Sequence, residues 1–290
     1  MRITVLGLGR MGAPMARNLS ELGYEMLLYD RDPGRAARAV CPNALVVGSV
    51  AEAAQEANLA LSMVPDDAAE ELLVWGPDGL LAHLPTGAIH LCMSSISPQL
   101  SQRLARAHEE AGQGYVAAPV LGNPSAAAAQ HLWIVVGGPE AQINRCRAVL
   151  DTLSRGITRV SPRPEVAHSL VLGANSLTLA LVASLAEVLS FGAKVGYPSG
   201  EYVRLLNLAL FKSPMVDAFG GLMVRRDHEA YDQTLGLAAQ GLGMLLEAAS
   251  ELAVAMPMAR ALQDQVAEAQ DLGLEGKDIT VLSLIRGGEG

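Results

Sequence analysis

Residues 7–12 read Gly7-Leu8-Gly9-Arg10-Met11-Gly12, a G-x-G-x-x-G run placed directly after an apolar stretch and directly before an amphipathic one. The first glycine allows a tight turn, the second lets a pyrophosphate approach the backbone, and the third lets helix and strand pack closely. Amides at the start of the following helix then face the phosphates. Asp30 lies 18 residues beyond Gly12 at the end of the next apolar run. A carboxylate at about that spacing accepts hydrogen bonds from the ribose hydroxyls of a bound dinucleotide.

Asp30 also bears on the choice between NAD and NADP. A 2′-phosphate about 4 Å from that carboxylate would cost roughly 4 kcal/mol per charge pair at an effective dielectric of about 20. NAD is the expected partner. Arg31 and Arg35 oppose this, since either side chain can swing over a phosphate. The alternative for both is a solvated helix entry.

The elements that must position these residues follow from periodicity. Strand-like runs at residues 3–6, 26–29, 59–64, 88–92, 115–118, 132–136 and 157–160 alternate with helical patterns at 14–22, 35–40, 51–56, 98–112 and 141–154. Such alternation predicts right-handed βαβ units and a parallel, doubly wound α/β sheet. After Pro162 and Pro164 the strand signal stops, which places a domain boundary there, with domains over 1–162 and 163–290. A nearly uncharged stretch from Glu165 to Val195 predicts one long helix with apolar residues on most sides, and a helix apolar all round is buried all round. Further helices are expected at 200–210, 231–255 and 258–272, and a frayed tail at 287–290.

Composition narrows the classes. The 290 residues carry 21 Lys+Arg against 30 Asp+Glu, a net charge of −9. Without a cluster of cations, nucleic-acid binding is disfavoured. With 50% hydrophobic residues the chain is not disordered. Its apolar runs read as shorter than the roughly 18 residues of a membrane span, and no basic segment with an apolar core precedes the first strand. The expectation is a cytoplasmic protein that takes a small-molecule substrate, without a membrane or nucleic-acid partner. Cys41, Cys92 and Cys146 show no paired spacing and are expected to be buried, inert thiols. His83, His90, His108, His131 and His228 lack metal-ligand spacing, so no metal is expected. Ser94 and Ser95 lack the G-x-S-x-G context of a nucleophile.

The segments residues 7–19, Tyr29-Asp30-Arg31, residues 92–97, residues 116–120 and residues 132–138, taken in order, resemble the β-hydroxyacid dehydrogenase superfamily, which includes 3-hydroxyisobutyrate dehydrogenases and imine reductases. The resemblance covers essentially the whole chain, because Asn175 and Glu187 fall at the family's spacing. It implies a Rossmann N-terminal domain, an all-helical C-terminal domain, a homodimer formed through the long helix, an interdomain active site and an NAD(P)H cofactor. It also implies that Leu8, Arg10, Met11 and Arg31 join the glycines and Asp30 at the cofactor. Val64-Pro65 and Ser94-Ser95 are expected beside it.

The departures from the family pattern concern the substrate. Where hydroxyacid enzymes read D-A-P-V-S-G-G, with a Ser-Gly-Gly that grips a carboxylate, this chain reads Ala117-Ala118-Pro119-Val120-Leu121-Gly122-Asn123. The family lysine four residues before Asn175 is Val171, and a second family lysine aligns with Gln240. A positioned proton donor is typically worth about 10²–10⁴ in rate, and valine cannot donate. An iminium brings its own proton and charge. The first reading is therefore reduction of an imine or a relatively apolar carbonyl, with Ser95, Leu121, Gly122, Asn123, Val171, Asn175 and Gln240 around substrate. A second is a 3-hydroxyacid dehydrogenase in which His168 or Lys212 supplies the proton. A third is a nucleotide-binding protein that has lost catalysis. For His168 a satisfied or exposed histidine is the plain alternative, for Asn175 a buried helix-helix amide, for Lys212 a surface lysine, and for Asp278 a helix cap.

Overall fold

A computed structural model of the chain describes residues 1–229 and 233–286 and divides it into two compact units, Met1–Leu172 and Gly173–Gly290. The division falls inside the long helix rather than at the Pro162–Pro164 turn. The first unit runs β1 (Arg2–Leu6), α1 (Gly12–Glu21), β2 (Glu25–Tyr29), α2 (Pro33–Arg38), β3 (Ala44–Val46), α3 (Val50–Ala54), β4 (Leu59–Ser62), α4 (Asp67–Trp75) and α5 (Leu80–His83). It continues through β5 (Ile89–Cys92), α6 (Pro98–Glu110), β6 (Gly114–Ala117), β7 (Val120–Leu121), α7 (Pro124–Ala128), β8 (Leu132–Gly137), α8 (Glu140–Leu153), β9 (Ser154–Ser161) and the start of α9 (Glu165–Lys194).

The strands form one sheet in the order β3-β2-β1-β4-β5-β6-β8-β7, with β9 paired to β8. From β3 to β6 every pairing is parallel, the doubly wound arrangement the alternating sequence predicts. Strand alternation sends Ile3, Val5, Leu61, Ile89 and Leu91 into one core and Leu6 and Ala60 into another, so both faces are covered. Past β6 the parallel pattern breaks, because β7 and β6 both pair antiparallel with β8. The turn is made at Gly122, whose φ of +146° strains any side chain and whose would-be Cβ would press on Leu132 Cδ2 at 2.8 Å.

Strand β3 and helices α4, α5 and α7 had no counterpart in the sequence reading. Two of them open on side-chain caps: Asp66 accepts from the Ala69 amide at 2.7 Å at the start of α4, and Asn123 accepts from the Ala126 amide at 2.9 Å at the start of α7.

The named elements of the second unit's described residues are helices and helical turns: the rest of α9, α10 (Ser199–Leu206) running into a π-helical turn at Asn207–Phe211, α11 (Pro214–Arg225), α12 (Leu235–Glu251), α13 (Pro257–Asp271), a 3₁₀ turn at Ile279–Val281 and α14 (Leu282–Arg286). Leu179, Val182, Leu185 and Leu189 of α9 pack with Val203, Val216, Leu242 and Leu262 into its core. Helix α11 had no counterpart in the sequence reading. Tyr231 and Asp232, at the start of the expected 231–255 helix, and the expected frayed tail lie outside the described residues.

Two expectations are corrected. Helix α9 is long and apolar enough to cross a membrane by length and composition, contrary to the short-run reading. Fully buried residues make up 44% of its most apolar 18-residue window, and Leu170, Leu177, Ser184, Glu187 and Phe191 form an exposed stripe, so it is not buried all round either. Leu177, 73% exposed, and Phe191, 67% exposed, stand out of it.

Candidate functional site

The glycine turn sits between β1 and α1. Gly7 has φ +94° and donates its amide to Tyr29 O, and a Cβ there would stand 2.4 Å from Met63 O. At Gly12 a Cβ would fall 1.9 Å from Gly7 O. At Gly9 nothing lies within 4 Å. Two glycines are thus demanded by packing, and the middle one leaves open space above the backbone, the cradle a pyrophosphate needs. The N-cap of α1 is Met11, which offers no side-chain acceptor, and no acidic residue lies in the first turn. The positive end of the helix is therefore left for an anion.

Asp30 ends β2. Its Oδ2 accepts from the Leu8 amide at 2.7 Å and its Oδ1 from the Asp32 amide at 2.8 Å, so the carboxylate braces the glycine turn. Each oxygen keeps a further lone pair for a ribose hydroxyl. Arg31 is exposed, and Arg35 pairs with Asp32 at 3.5 Å. The residues present fit a dinucleotide.

Next to this turn the ends of β4 and β5 meet. Ser94 Oγ accepts from the Val64 amide at 2.9 Å and donates to Glu70 Oε2 at 2.7 Å. Glu70 of α4 is fully buried, and its Oε1 accepts from Ser62 Oγ at 2.7 Å with His90 Nε2 3.2 Å away. From His90 the chain continues, Nδ1 to His108 Nε2 at 2.9 Å, then His108 Nδ1 to Gln113 Oε1 at 2.7 Å. Gln113 Nε2 donates to Leu81 O at 3.0 Å and Leu84 O at 2.7 Å. Burial pushes the Glu70 carboxyl upward, but the His90 imidazole and the two serine hydroxyls outweigh it and leave the group below its usual value. Burial holds His108 down to about 3, with the charge at His90 acting in the same direction. Burial and then the Glu70 charge push the Cys92 thiol well above its usual range.

The links from Glu70 through His90 and His108 to Gln113 had no counterpart in the sequence reading, which placed only Val64 and Ser94 of this network beside the cofactor. His90 and His108 read as bland in the sequence and Cys92 as inert. The available signal was a histidine inside Ile89-His90-Leu91-Cys92, a strand with every position buried. Glu70, His90 and Cys92 offer donor atoms within 4.8 Å of one another. The Glu70 oxygens are already engaged by Ser62, Ser94 and His90, so hydrogen bonds link this set.

The other expected residues are placed as follows. Val171 is buried and shares an apolar cluster with Cys92, Ile96, Tyr115 and Ala117, against which Leu121 packs. His168, one turn earlier on α9, is buried with neither ring nitrogen partnered, and burial lowers its pKa to about 3. It is neutral at pH 7. Asn123 spends its carbonyl oxygen on the α7 cap, while Pro65 and Gly122 are exposed and Val64 and Ser95 partly so. In the second unit Asn175 is half-buried, Gln240 is exposed, and Lys212 is exposed with φ +47° at the end of the π-turn. Asp278 caps the 3₁₀ turn through the Thr280 amide at 3.0 Å. All three cysteines are free and buried.

Residues 2–161 match the family model for the NAD binding domain of 6-phosphogluconate dehydrogenase. The uncharacterized oxidoreductase YfjR of Bacillus subtilis is 33% identical over 259 residues, covering 89% of this chain and 90% of that protein. The NAD-dependent L-serine dehydrogenase of Pseudomonas aeruginosa is 30% identical, covering 89% and 88%. Among solved structures, the 3-hydroxyisobutyrate dehydrogenase of Salmonella typhimurium superposes with a TM-score of 0.89 at 22% identity over 98% of this chain and 99% of that one. An imine reductase from Pseudomonas sp. gives 0.64 at 20% identity over 97% of each. The family match and these relatives, named oxidoreductases and dehydrogenases, make this chain an NAD(P)-dependent oxidoreductase. The chain belongs to the β-hydroxyacid dehydrogenase superfamily.

Proposed function

We propose that this oxidoreductase delivers hydride from a nicotinamide cofactor to an imine or a relatively apolar carbonyl. The observation that carries the reading is the environment of residue 171. Where the family places an ammonium, this chain has a valine packed with Leu121 in an apolar cluster. Carboxylate recognition and proton donation by lysine are both absent from that position, and an iminium requires neither. Asn175, one helical turn after Val171 on the same helix face, is assigned to hydrogen-bond substrate or the nicotinamide amide. Gly122 and Asn123 are assigned to the substrate side.

NAD is the proposed coenzyme, on the strength of Asp30 and of an Arg35 side chain already paired with Asp32. The chain is proposed to be a cytoplasmic homodimer; the exposed apolar residues of α9, Leu177 and Phe191, support an apolar partner surface. The cofactor would be held by the glycine turn and Asp30 and would supply the hydride. This chain's own residues orient it and exclude water.

A second reading is favoured by the names of the relatives, an L-serine dehydrogenase among them. In that case the enzyme oxidises a small hydroxyacid, and Lys212 or His168 moves the proton. A substrate panel decides: NADH- or NADPH-dependent reduction of cyclic imines without turnover of 3-hydroxyisobutyrate, L-serine or succinic semialdehyde supports the first reading, and the reverse pattern overturns it. Tight NADH binding with no turnover of either class would point to a nucleotide-binding protein instead.

A further inference from the structure

We propose that Glu70, His90, His108 and Gln113 are positioning residues, a locked hydrogen-bond chain that fixes Ser94 and the Val64 amide as the floor of the nicotinamide half of the cofactor site. The inference rests on the dinucleotide reading above and concerns which part of that ligand the chain serves.

Strand order sets the location. A dinucleotide lies across the carboxyl ends of the strands, with one mononucleotide on each side of the glycine turn. Asp30 at the end of β2 takes the adenosine side, so the second half falls over the ends of β4 and β5, where Val64 and Ser94 lie. The two regions are in contact, since a Cβ at Gly7 would meet Met63 O at 2.4 Å and Val64 Cγ1 at 3.0 Å.

Hydrogen-bond accounting then fixes the direction of the links from Gln113 to His90 and from Ser94 to Glu70. Gln113 Nε2 donates to two backbone carbonyls, so Oε1 is the atom facing His108, and His108 Nδ1 must donate to it. His108 is neutral, so its Nε2 is bare and accepts from His90 Nδ1. His90 Nε2 therefore faces two oxygens, Ser62 Oγ at 2.9 Å and Glu70 Oε1 at 3.2 Å. The serine has one hydrogen, which cannot serve both contacts. One additional proton must reside among Glu70 Oε1, Ser62 Oγ and His90 Nε2. At the other end Glu70 Oε2 can only accept from Ser94, which turns the Ser94 lone pair toward the Val64 amide.

The chain is built to hold rather than conduct. It ends on an amide whose two donors are bonded to the Leu81 and Leu84 carbonyls, and an amide does not pass a proton on. Tyr115 stacks on His108 with ring centroids 5.8 Å apart and stands edge-on to His90 at 5.4 Å, which fixes both rings. Nothing in the first unit's core explains a buried carboxylate and two buried imidazoles on packing grounds, since an apolar replacement of a buried ion pair is often neutral or stabilising.

The test is calorimetric binding of NADH and of ADP-ribose to the full chain, the second ligand lacking the nicotinamide half. Glu70→Leu, and independently Ser94→Ala, should weaken NADH by about tenfold or more through an unpaired buried donor or acceptor, with ADP-ribose within about twofold of the wild type. Glu70→Gln should bind NADH like the wild type, because an amide N–H replaces the extra proton opposite His90 Nε2. Equal weakening of NADH and ADP-ribose, or unchanged NADH binding by both Glu70→Leu and Ser94→Ala, overturns the positioning role. Glu70→Gln behaving like Glu70→Leu overturns the proton accounting. Failure of the wild type to bind either ligand would overturn the dinucleotide reading itself, a result distinct from all of these.

Discussion

His168→Leu should leave the protein at least as stable at neutral pH and less sensitive to acid. In the wild type the imidazole is 1% exposed and neither ring nitrogen has a partner. Two unpaired polar atoms in a core cost folding free energy on the order of 1–3 kcal/mol, and leucine fills a similar volume without them. The acid effect follows from the depressed pKa. Burial lowers His168 from 6.5 to about 3 in the folded chain. Between those values the unfolded chain binds more protons than the folded one, so stability is full above about pH 6.5 and falls as pH is lowered toward 3. At pH 5 the loss is about 2 kcal/mol for this one group. His108, also held to about 3, adds a loss of the same sign in the variant and wild type alike. Urea denaturation at pH 7 and pH 5 reads the difference. Trp75 and Trp133 both lie in the first unit, so tryptophan fluorescence follows that unit. The reasoning is refuted if the variant loses more than about 1 kcal/mol at pH 7, or if its loss between pH 7 and 5 equals that of the wild type.

The glycine turn predicts two contrasting outcomes: Gly12→Ala should unfold or aggregate, its Cβ being 1.9 Å from Gly7 O, whereas Gly9→Ala, with open space around it, should melt like the wild type and lose dinucleotide affinity. Paired thermal melts and NADH titrations separate them. Asp30→Ala should raise NADPH affinity relative to NADH by removing a carboxylate about 4 Å from a 2′-phosphate, and should lower the melting temperature because the Leu8 and Asp32 amides lose their acceptor. Phe191→Asp should shift the sedimentation coefficient from dimer toward monomer; a folded variant that sediments as the wild type does would exclude that face from the interface.

Much of the fold and of the cofactor end was legible in the chain because both depend on local rules. A G-x-G-x-x-G run after an apolar strand leaves few backbone paths, and Asp30 is placed by the length of one βαβ unit. Helix α9 showed itself by thirty residues with hardly a charge, although its exposed apolar face did not. Helices α4 and α7 went unread although Asp66 and Asn123 cap them as Asp32 and Ser49 cap the α2 and α3 that were read, and Asn123, assigned to substrate from the family pattern, is held in part by its cap.

The buried network was settled by tertiary structure alone. Glu70, His90, His108 and Gln113 come from a helix, a strand, another helix and a turn, separated by stretches with no common spacing. Only the parallel register that sets Ala60 beside His90 and Ser62 beside Cys92 brings them to one point, and only full burial makes their hydrogen bonds obligatory. Sequence constrains what each residue can donate or accept; the packed sheet determines which of those capacities must be satisfied, because water is excluded there and the partners have to be supplied by the chain.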